Sequence, residues 1–463
     1  MQRRSKRILI GMGVVVGLLV AVYGIALARS HGKLRRAYED LKQAGRPMTA
    51  AKVVPEPIPD ARNAAPLYQQ AVATLKGLPA PKKDLLEYAG RLAYGLLAHD
   101  LDANQVSEFE QLIQREEVAS ALALLEEAMQ RPECRFDRDY KAGRIDGPFG
   151  FHDLRRLAAI ARARVYRQAK AGDGTAAWEV VRRQFRIADA LAPDPSMDTQ
   201  FARLCLIRDC CYTIQTLCAV APPDADTCRK IQDILKDLDG VEPLVRAVDA
   251  ERLVRGEWFF RLSNDELYKA MQDDQPVGNE DNALETINRA MFRIVTFRPL
   301  FVAAHAAYLR AMHKAVEMFE SPYVPRDTGI RKEFNDARGK HFLTHWATHV
   351  NDFFKGVHCD MVARLHMTRA GLGLLEYRTE HDALPQTLDD LKLEKLIDPY
   401  VEQPLRYRVE PDGFLVYSVG EDMQDNGGAA RQRKRSDDPR SKVPDHDLLW
   451  RFSDAEGSTT ENI

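Results

Sequence analysis

A chain of 463 residues, 45% hydrophobic and 29% charged, has enough length for two or three domains and a sizeable core. Its 66 basic residues nearly cancel its 68 acidic ones, which excludes a global field that would gather nucleic acid. Seven cysteines are compatible with either redox compartment, and no CxxC pair with metal-like spacing occurs among them.

The N-terminus opens with "MQRRSKR", which supplies four cations, and then runs from Ile8 to Ala28 without a charge. Twenty-one residues at about 1.5 Å each give roughly 31 Å, the thickness of a bilayer's hydrocarbon core. Such a segment must be helical, because lipid offers no partner for free amides. Ala26-Leu27-Ala28 has the small-x-small look of a peptidase site, but the run exceeds the usual signal-peptide core, so a retained anchor is expected. Arg29, Lys33, Arg35 and Arg36 almost balance the N-terminal cations. The free amine tips the orientation toward a cytoplasmic N-terminus with the rest of the chain outside. Residues 1–29 are thus expected to be a cytoplasmic stub and transmembrane anchor. Gly13 and Gly17 form a GxxxG, a pattern that also arises from ordinary glycine content.

Residues 30–59 read as a juxtamembrane helix, "GKLRRAYEDLKQAG", ended by Gly45 and Pro47, and an extended spacer, "MTAAKVVPEPIPD". From Asp60, an expected cap, to about residue 340 apolar residues recur at three- and four-residue spacings. The clearest part is 152–238. One helix ends at "KAGDG", a second follows, "APDPS" turns the chain, a third carries the cysteines, and Pro222-Pro223-Asp224 opens a fourth. Short Gly and Pro turns between such helices predict helical hairpins packed as in tetratricopeptide arrays, without that family's strict repeat signature. Cys205, Cys210, Cys211, Cys218 and Cys228 read mostly as small core residues, with a Cys218–Cys228 disulfide open in an oxidising compartment. Glu251 and Glu257, six apart on a helix, point away from each other, so pairing with Arg252 and Arg255 is expected.

After the loop "ESPYVPRDTG" a long helix is expected from about Lys340 to His381. It carries "HFLTHWATHVND", in which His341, His345 and His349 recur every four residues and Asp352 follows. On one helix, neighbouring histidines share a face and His345 lines up with Asp352, a set of types suited to Zn²⁺ or Fe²⁺. His358 and Cys359 lie further along that helix, and His305 and His313 fall on another predicted helix. Against this stand the drift of three ligands around one helix and the lack of an HExxH general base. No GxSxG, P-loop or dinucleotide fingerprint is present either, so the reading leans away from an enzyme.

After Pro385 the period changes to two, and "PLRYRVE", "GFLVYSV" and "HDLLWRF" predict a three-stranded antiparallel sheet. Pro411-Asp412-Gly413 is the expected turn of the first hairpin, with Tyr407 and Val409 set against Leu415 and Tyr417 as inward or cross-strand partners. The helix "VARLHMTRAGLGLLEYRTEH" is its expected cover. The basic run "RQRKRSDDPRSK" at 431–442 is mixed with acids and reads as a solvated loop. The overall expectation is a mainly α protein: a transmembrane helix, a helical-hairpin body over 60–340, and a small α+β module over 341–463.

The order of this helix, "YRTEHDALPQTLDDL" and "DPYVEQPLRYRVEPDGFLVYSVGEDMQDNGG" resembles the C-terminal module of major pseudopilins of type II secretion, over roughly residues 361–452. It departs in having about 330 residues between membrane helix and module, and no prepilin peptidase site before Ile8. The whole chain, with "NAAPLY" near its start, also looks like an uncharacterised family of single-span bacterial envelope proteins. That resemblance implies the bacterial cytoplasmic membrane and unidentified envelope protein partners, beside the lipid contact through residues 8–28 and the exclusion of nucleic acid read above from the apolar run and the charge balance. The pseudopilin resemblance implies calcium in the acidic loop. Asp422, Asp425 and Asn426 are closely spaced oxygen donors beside Gly427 and Gly428, Glu421 adds another, and Asp447 would close the site. The alternative is a surface loop whose Asp and Asn side chains cap turns. Three functions follow as expectations. The first is a membrane-anchored, non-catalytic scaffold or interaction module. The others are an accessory part of a secretion or pilus-like machine, and a metal-dependent hydrolase on the His341, His345 and His349 face.

Overall fold

The computed structural model describes residues 2–76, 85–97, 101–143, 145, 151–273, 297–325, 327–394, 396–429, 447–453 and 457–460. Within them the protein is mainly helical, with one long apolar helix at the N-terminus and a small antiparallel β module near the C-terminus. The basic run at 431–442 lies outside the described residues.

The N-terminal helix α1 (Gln2–Gln43) is continuous, so the expected break between anchor and juxtamembrane helix is absent. No proline falls within it, and an isolated glycine costs only about 1 kcal/mol, too little to stop a helix of this length. Its two halves differ. From Ile10 to Ile25 the large apolar side chains face outward, with Leu19 64% exposed. Beyond this, Ser30, Ala37 and Leu41 are buried, with Leu34 and Tyr38 packed alongside, which makes one helical stripe of three- and four-residue steps.

The expected spacer after it is not free. Gly45, at φ +69°, ends the helix and turns the chain onto the body. Val53 is buried with Ile145, Ala250, Leu253 and Val254. The first body helix, α2 (Ala65–Lys76), is capped by Asn63 and not by the expected Asp60, which sits in a short 3-10 turn. The Asn63 side-chain oxygen accepts from Ala65 N (3.1 Å) and Arg135 N (2.8 Å), and its amide donates to Arg135 O (2.9 Å). One side chain thus closes a helix start and ties it to a passing strand segment, which gives the "NAAPLY" sequence a structural use.

α3 (Leu85–Leu97), α4 (Ala103–Ile113) and α5 (Glu116–Ala128) follow, α2 packing on α5 and α3 on α6 (Phe151–Lys170). Over 151–220 the hairpin expectation holds: α6, α7 (Gly174–Leu191) and α8 (Met197–Val220) pack on neighbours in sequence, whereas α9 (Ala225–Leu235) packs chiefly on the later helix Phe353–His381. Ser196 and Asp224 cap α8 and α9 by accepting from Thr199 N (3.4 Å) and Thr227 N (2.7 Å). All seven cysteines are buried thiols, Cys218 and Cys228 included, so the open disulfide is not formed.

α10 (Glu242–Ala250) runs into a π-helical turn, Glu251–Gly256, and then to Phe259. α11 (Asn264–Asp273) and α12 (Arg298–Glu320) come next, and α12 packs along the lower half of α1. The helix expected over 340–381 is broken. Its parts are α14 (Phe342–Ala347), preceded by α13 (Gly329–Gly339), and α15 (Phe353–His381). The Asn351 side chain accepts from Phe353 N (3.1 Å), a cap that restarts the helix after an extended Thr348.

α15 carries apolar side chains all round because it is covered on both sides. α8 and α9 pack against one side, and the sheet packs against another. One core cluster therefore runs from Ala37 to Phe452, so the expected boundary at 340/341 does not divide two cores.

In the β module, β1 (Ile397–Asp398) pairs with β2 (Gln403–Pro404), and β3 (Arg406–Glu410), β4 (Gly413–Ser418), β5 (Leu448–Ser453) and β6 (Gly457–Thr460) form a second sheet in that order. The expected three strands are present, and β6 adds a fourth. The hairpin register differs from expectation: Tyr407 faces Val416, Val409 faces Phe414, and Glu410 faces Gly413. The loop is the two residues Pro411 and Asp412, with Gly413 already in the strand, and that one-residue difference shifts every pair. Phe414 and Trp450 turn toward α15, where a Cβ on Gly371 would stand 1.6 Å from the Trp450 ring. Leu415, Tyr417 and Leu449 pack together apart from the main core cluster.

Candidate functional site

The acidic loop, 420–428, is built on backbone turns that suit glycine, with Gly420, Gly427 and Gly428 all near φ +70° to +74°. Asp447 is fully buried beneath it. Its two carboxylate oxygens accept from Asn426 N (3.2 Å) and Gly428 N (2.7 Å). Burial raises the Asp447 carboxyl above its usual range, against the opposing pull of these bonds. Asp425 accepts from Gly427 N (2.9 Å), Tyr417 OH (3.0 Å) and Arg406 Nε (3.2 Å), and the Gly427 bond leads in holding its carboxyl low.

Asp422 accepts from Gln424 N and from the Asn426 amide, each at 3.0 Å, while Glu421 turns away to accept from Tyr323 OH (3.0 Å). The four expected carboxylate ligands, Glu421, Asp422, Asp425 and Asp447, are therefore each turned onto an N–H or O–H of the protein itself, and the Asn426 amide donates to Asp422. Among the described residues no group of three His, Cys, Asp or Glu side chains is placed to hold an ion. The donor set does not fit calcium in this conformation, and the loop's cohesion comes from hydrogen bonds of the kind that close turns.

The histidine face does not form. His341 precedes α14, His345 lies in its last turn, and His349 lies beyond its end. Asp352 is fully buried and accepts from Arg331 Nη2 at 3.3 Å, so its carboxylate is bound in an ion pair. The broken helix is the physical reason: the four-residue spacing carries no shared face across residues 348–352.

The structure assembles a different set where the lower half of α1 meets the π-helical turn. Tyr38 OH donates to Glu257 Oε1 at 2.5 Å, and His305 Nε2 stands 3.4 Å from the hydroxyl and 3.9 Å from Oε1. Phe260 stacks on the His305 ring at 4.4 Å, and Arg261 approaches Glu257 Oε2 at 3.4 Å. Burial lowers His305 to about 4, overriding the pull of Glu257, so the imidazole is neutral at pH 7. Tyr38 is pushed up by burial first and by the Glu257 bond next. A groove of about 370 Å³ runs beside this cluster and includes His31, Tyr38, Lys42 and Met48 in its lining.

A second set lies where the chain leaves α1. Asp249 accepts from Arg252 Nη2 (3.1 Å) and from Arg46, and Arg252 also donates to Pro47 O (2.5 Å). Asp249 and Arg252 are almost wholly buried. Glu251 pairs with Arg255 (3.7 Å), as expected, whereas Arg252 pairs with Asp249 instead. At the end of the π-helical turn Gly256 sits against Tyr308, where a Cβ would lie 2.3 Å away. Of these groups the sequence singled out Glu251, Arg252, Arg255, Glu257 and His305 but not Tyr38, Arg46 or Asp249, since Tyr38 and Glu257 are 219 positions apart. The signal that could have pointed there is the stripe of Leu34, Ala37, Tyr38 and Leu41 on a helix just after the apolar run. Chemically, both sets join α1 to the body.

Neither a family model, nor a curated protein, nor a solved structure matches this chain. Among the described residues one helix, over Ile10–Gln43, is long and apolar enough to cross a membrane by length and composition.

Proposed function

We propose that this chain is a membrane-anchored, non-catalytic scaffold or interaction module of the bacterial envelope, with its N-terminus in the cytoplasm and the bulk of the chain outside. The observation that carries this reading is the two-part character of α1. Its upper half shows bare apolar side chains, while its lower half is part of the core through Ala37 and Leu41. A flexible tether would leave the body free to sample substrates in three dimensions. A helix continuous from lipid to core instead holds the body at a fixed height and tilt, which suits presenting a surface to partners.

A role beside a secretion or pilus-like machine is a second reading. It is favoured by the order of α15, the short β1–β2 pair and the antiparallel sheet, which parallels the pseudopilin module. Inverted and right-side-out membrane vesicles carrying the full chain test the orientation. Protease added to right-side-out vesicles should remove the body, and degradation of the body only in inverted vesicles would overturn the assignment.

A further inference from the structure

The body does not begin where the apolar run of α1 ends. The Phe297 ring meets Tyr23 edge-on at 5.3 Å between centroids, and Tyr23 lies five residues before Ala28 (28 − 23). At about 1.5 Å per residue that contact is roughly 7 Å inside the end of the run. Phe297 and Leu300 are 48% and 45% exposed, and the intervening Pro299 is buried, so the first turn of α12 presents its apolar side chains outward beside the bare half of α1. Arg298 is also exposed there, with an aliphatic stem long enough to carry its charge back to a headgroup.

We infer that the first turn of α12 is a wedge inserted in the outer leaflet, with the lipid bilayer as its occupant, so that the body is seated in the membrane and not only suspended from it. This rests on the reading of α1 as an anchor. The continuity of the two apolar surfaces at the Tyr23–Phe297 contact is what assigns lipid as the occupant. Water at this level would face two large apolar side chains and the exposed run together, a contiguous patch of the sort that marks a membrane or partner surface. An aromatic ring with a neighbouring cation at the hydrocarbon edge is also the arrangement that bilayer interfaces favour.

The test uses the full-length protein in vesicles of phosphatidylethanolamine and phosphatidylglycerol. Nitroxide labels are placed at Leu300→Cys and, separately, at Val15→Cys; the native thiols are all buried, and both target positions are exposed. Collision with oxygen, which concentrates in lipid, is compared with collision with a water-soluble nickel chelate. The inference expects oxygen to exceed nickel several-fold at both positions, with position 300 shallower than 15. A lipid-like reading at 15 with a water-like reading at 300 overturns the wedge and leaves the anchor standing. A water-like reading at 15 overturns both. Phe297→Cys gives an independent second site, and retained helical circular dichroism checks that each variant is folded.

Discussion

Replacing Asp249 by Asn should release the segment that joins α1 to the body. The carboxylate sits between two guanidiniums, 3.1 Å from Arg252 and in contact with Arg46. At that separation and an effective dielectric near 20, one pair has a gross attraction of about 5 kcal/mol. Removing one partner of a buried pair costs ~3–5 kcal/mol, because the other charge stays buried. Asn keeps an acceptor but not the charge, so a cost near 3 kcal/mol is expected at the lower end of that range. The cost should fall locally, since Arg252 also holds Pro47 O and the next turn relies on Val53 N and Val54 N bonding to Ala50 O. Native-state hydrogen exchange reads this directly, as faster exchange across 46–54 with little change in β4. Arg46→Met, which removes the α1 side of the pair, should show a coupling with Asp249→Asn of about 1–3 kcal/mol in a double-mutant cycle. Unchanged exchange across 46–54 in Asp249→Asn would refute the latch and, with it, the idea that the body is held at a fixed orientation.

Other consequences follow from single contacts. Gly371→Ala forces a methyl group into the Trp450 ring, an overpacking that costs ~1–3 kcal/mol and should loosen β5 against α15, seen as a red shift in tryptophan emission. His305, held neutral down to about 4 by burial beside Tyr38, Glu257 and Arg261, is lowered from its ordinary 6.5. The unfolded chain therefore binds a proton that the fold refuses between those values, so stability is full above pH 6.5 and falls toward pH 4, by at most about 3 kcal/mol. His305→Gln should flatten this part of the curve of melting temperature against pH; an identical curve contradicts it. Asn63→Ala strands three backbone groups and should destabilise the α2 start by about 1–3 kcal/mol, measurable by urea titration. Added calcium or a chelator should leave the melting temperature of the full chain unchanged, because the loop's carboxylates already hold Gly427 N, Gly428 N and Arg406.

How far the residues alone foretold this structure depended on how local each determinant is. The helices of 151–235 were legible because Ser196 and Asp224 announce helix starts beside Pro and Gly turns, although α9 packs chiefly on α15 and not on its neighbour α8. The β strands were legible from alternation, but their register was not. It turned on whether Gly413 belonged to the loop or to the strand, a distinction that composition does not carry. The break at residues 348–352 was missed for a similar reason, since Asn351 acts as a cap without any Pro or Gly to mark the stop. The π-helical turn left no periodic trace in six residues. The Tyr38, Glu257 and His305 set was the least accessible of all, because it exists only after helices distant in sequence have packed.

Partition of the unprocessed full-length protein after alkaline carbonate washing of membranes tests the account most directly. The bare apolar surface from Ile10 to Ile25 predicts that the chain stays in the membrane pellet and leaves it only with detergent. Recovery of intact chain in the aqueous supernatant would contradict the anchor, the seated body and the scaffold role together.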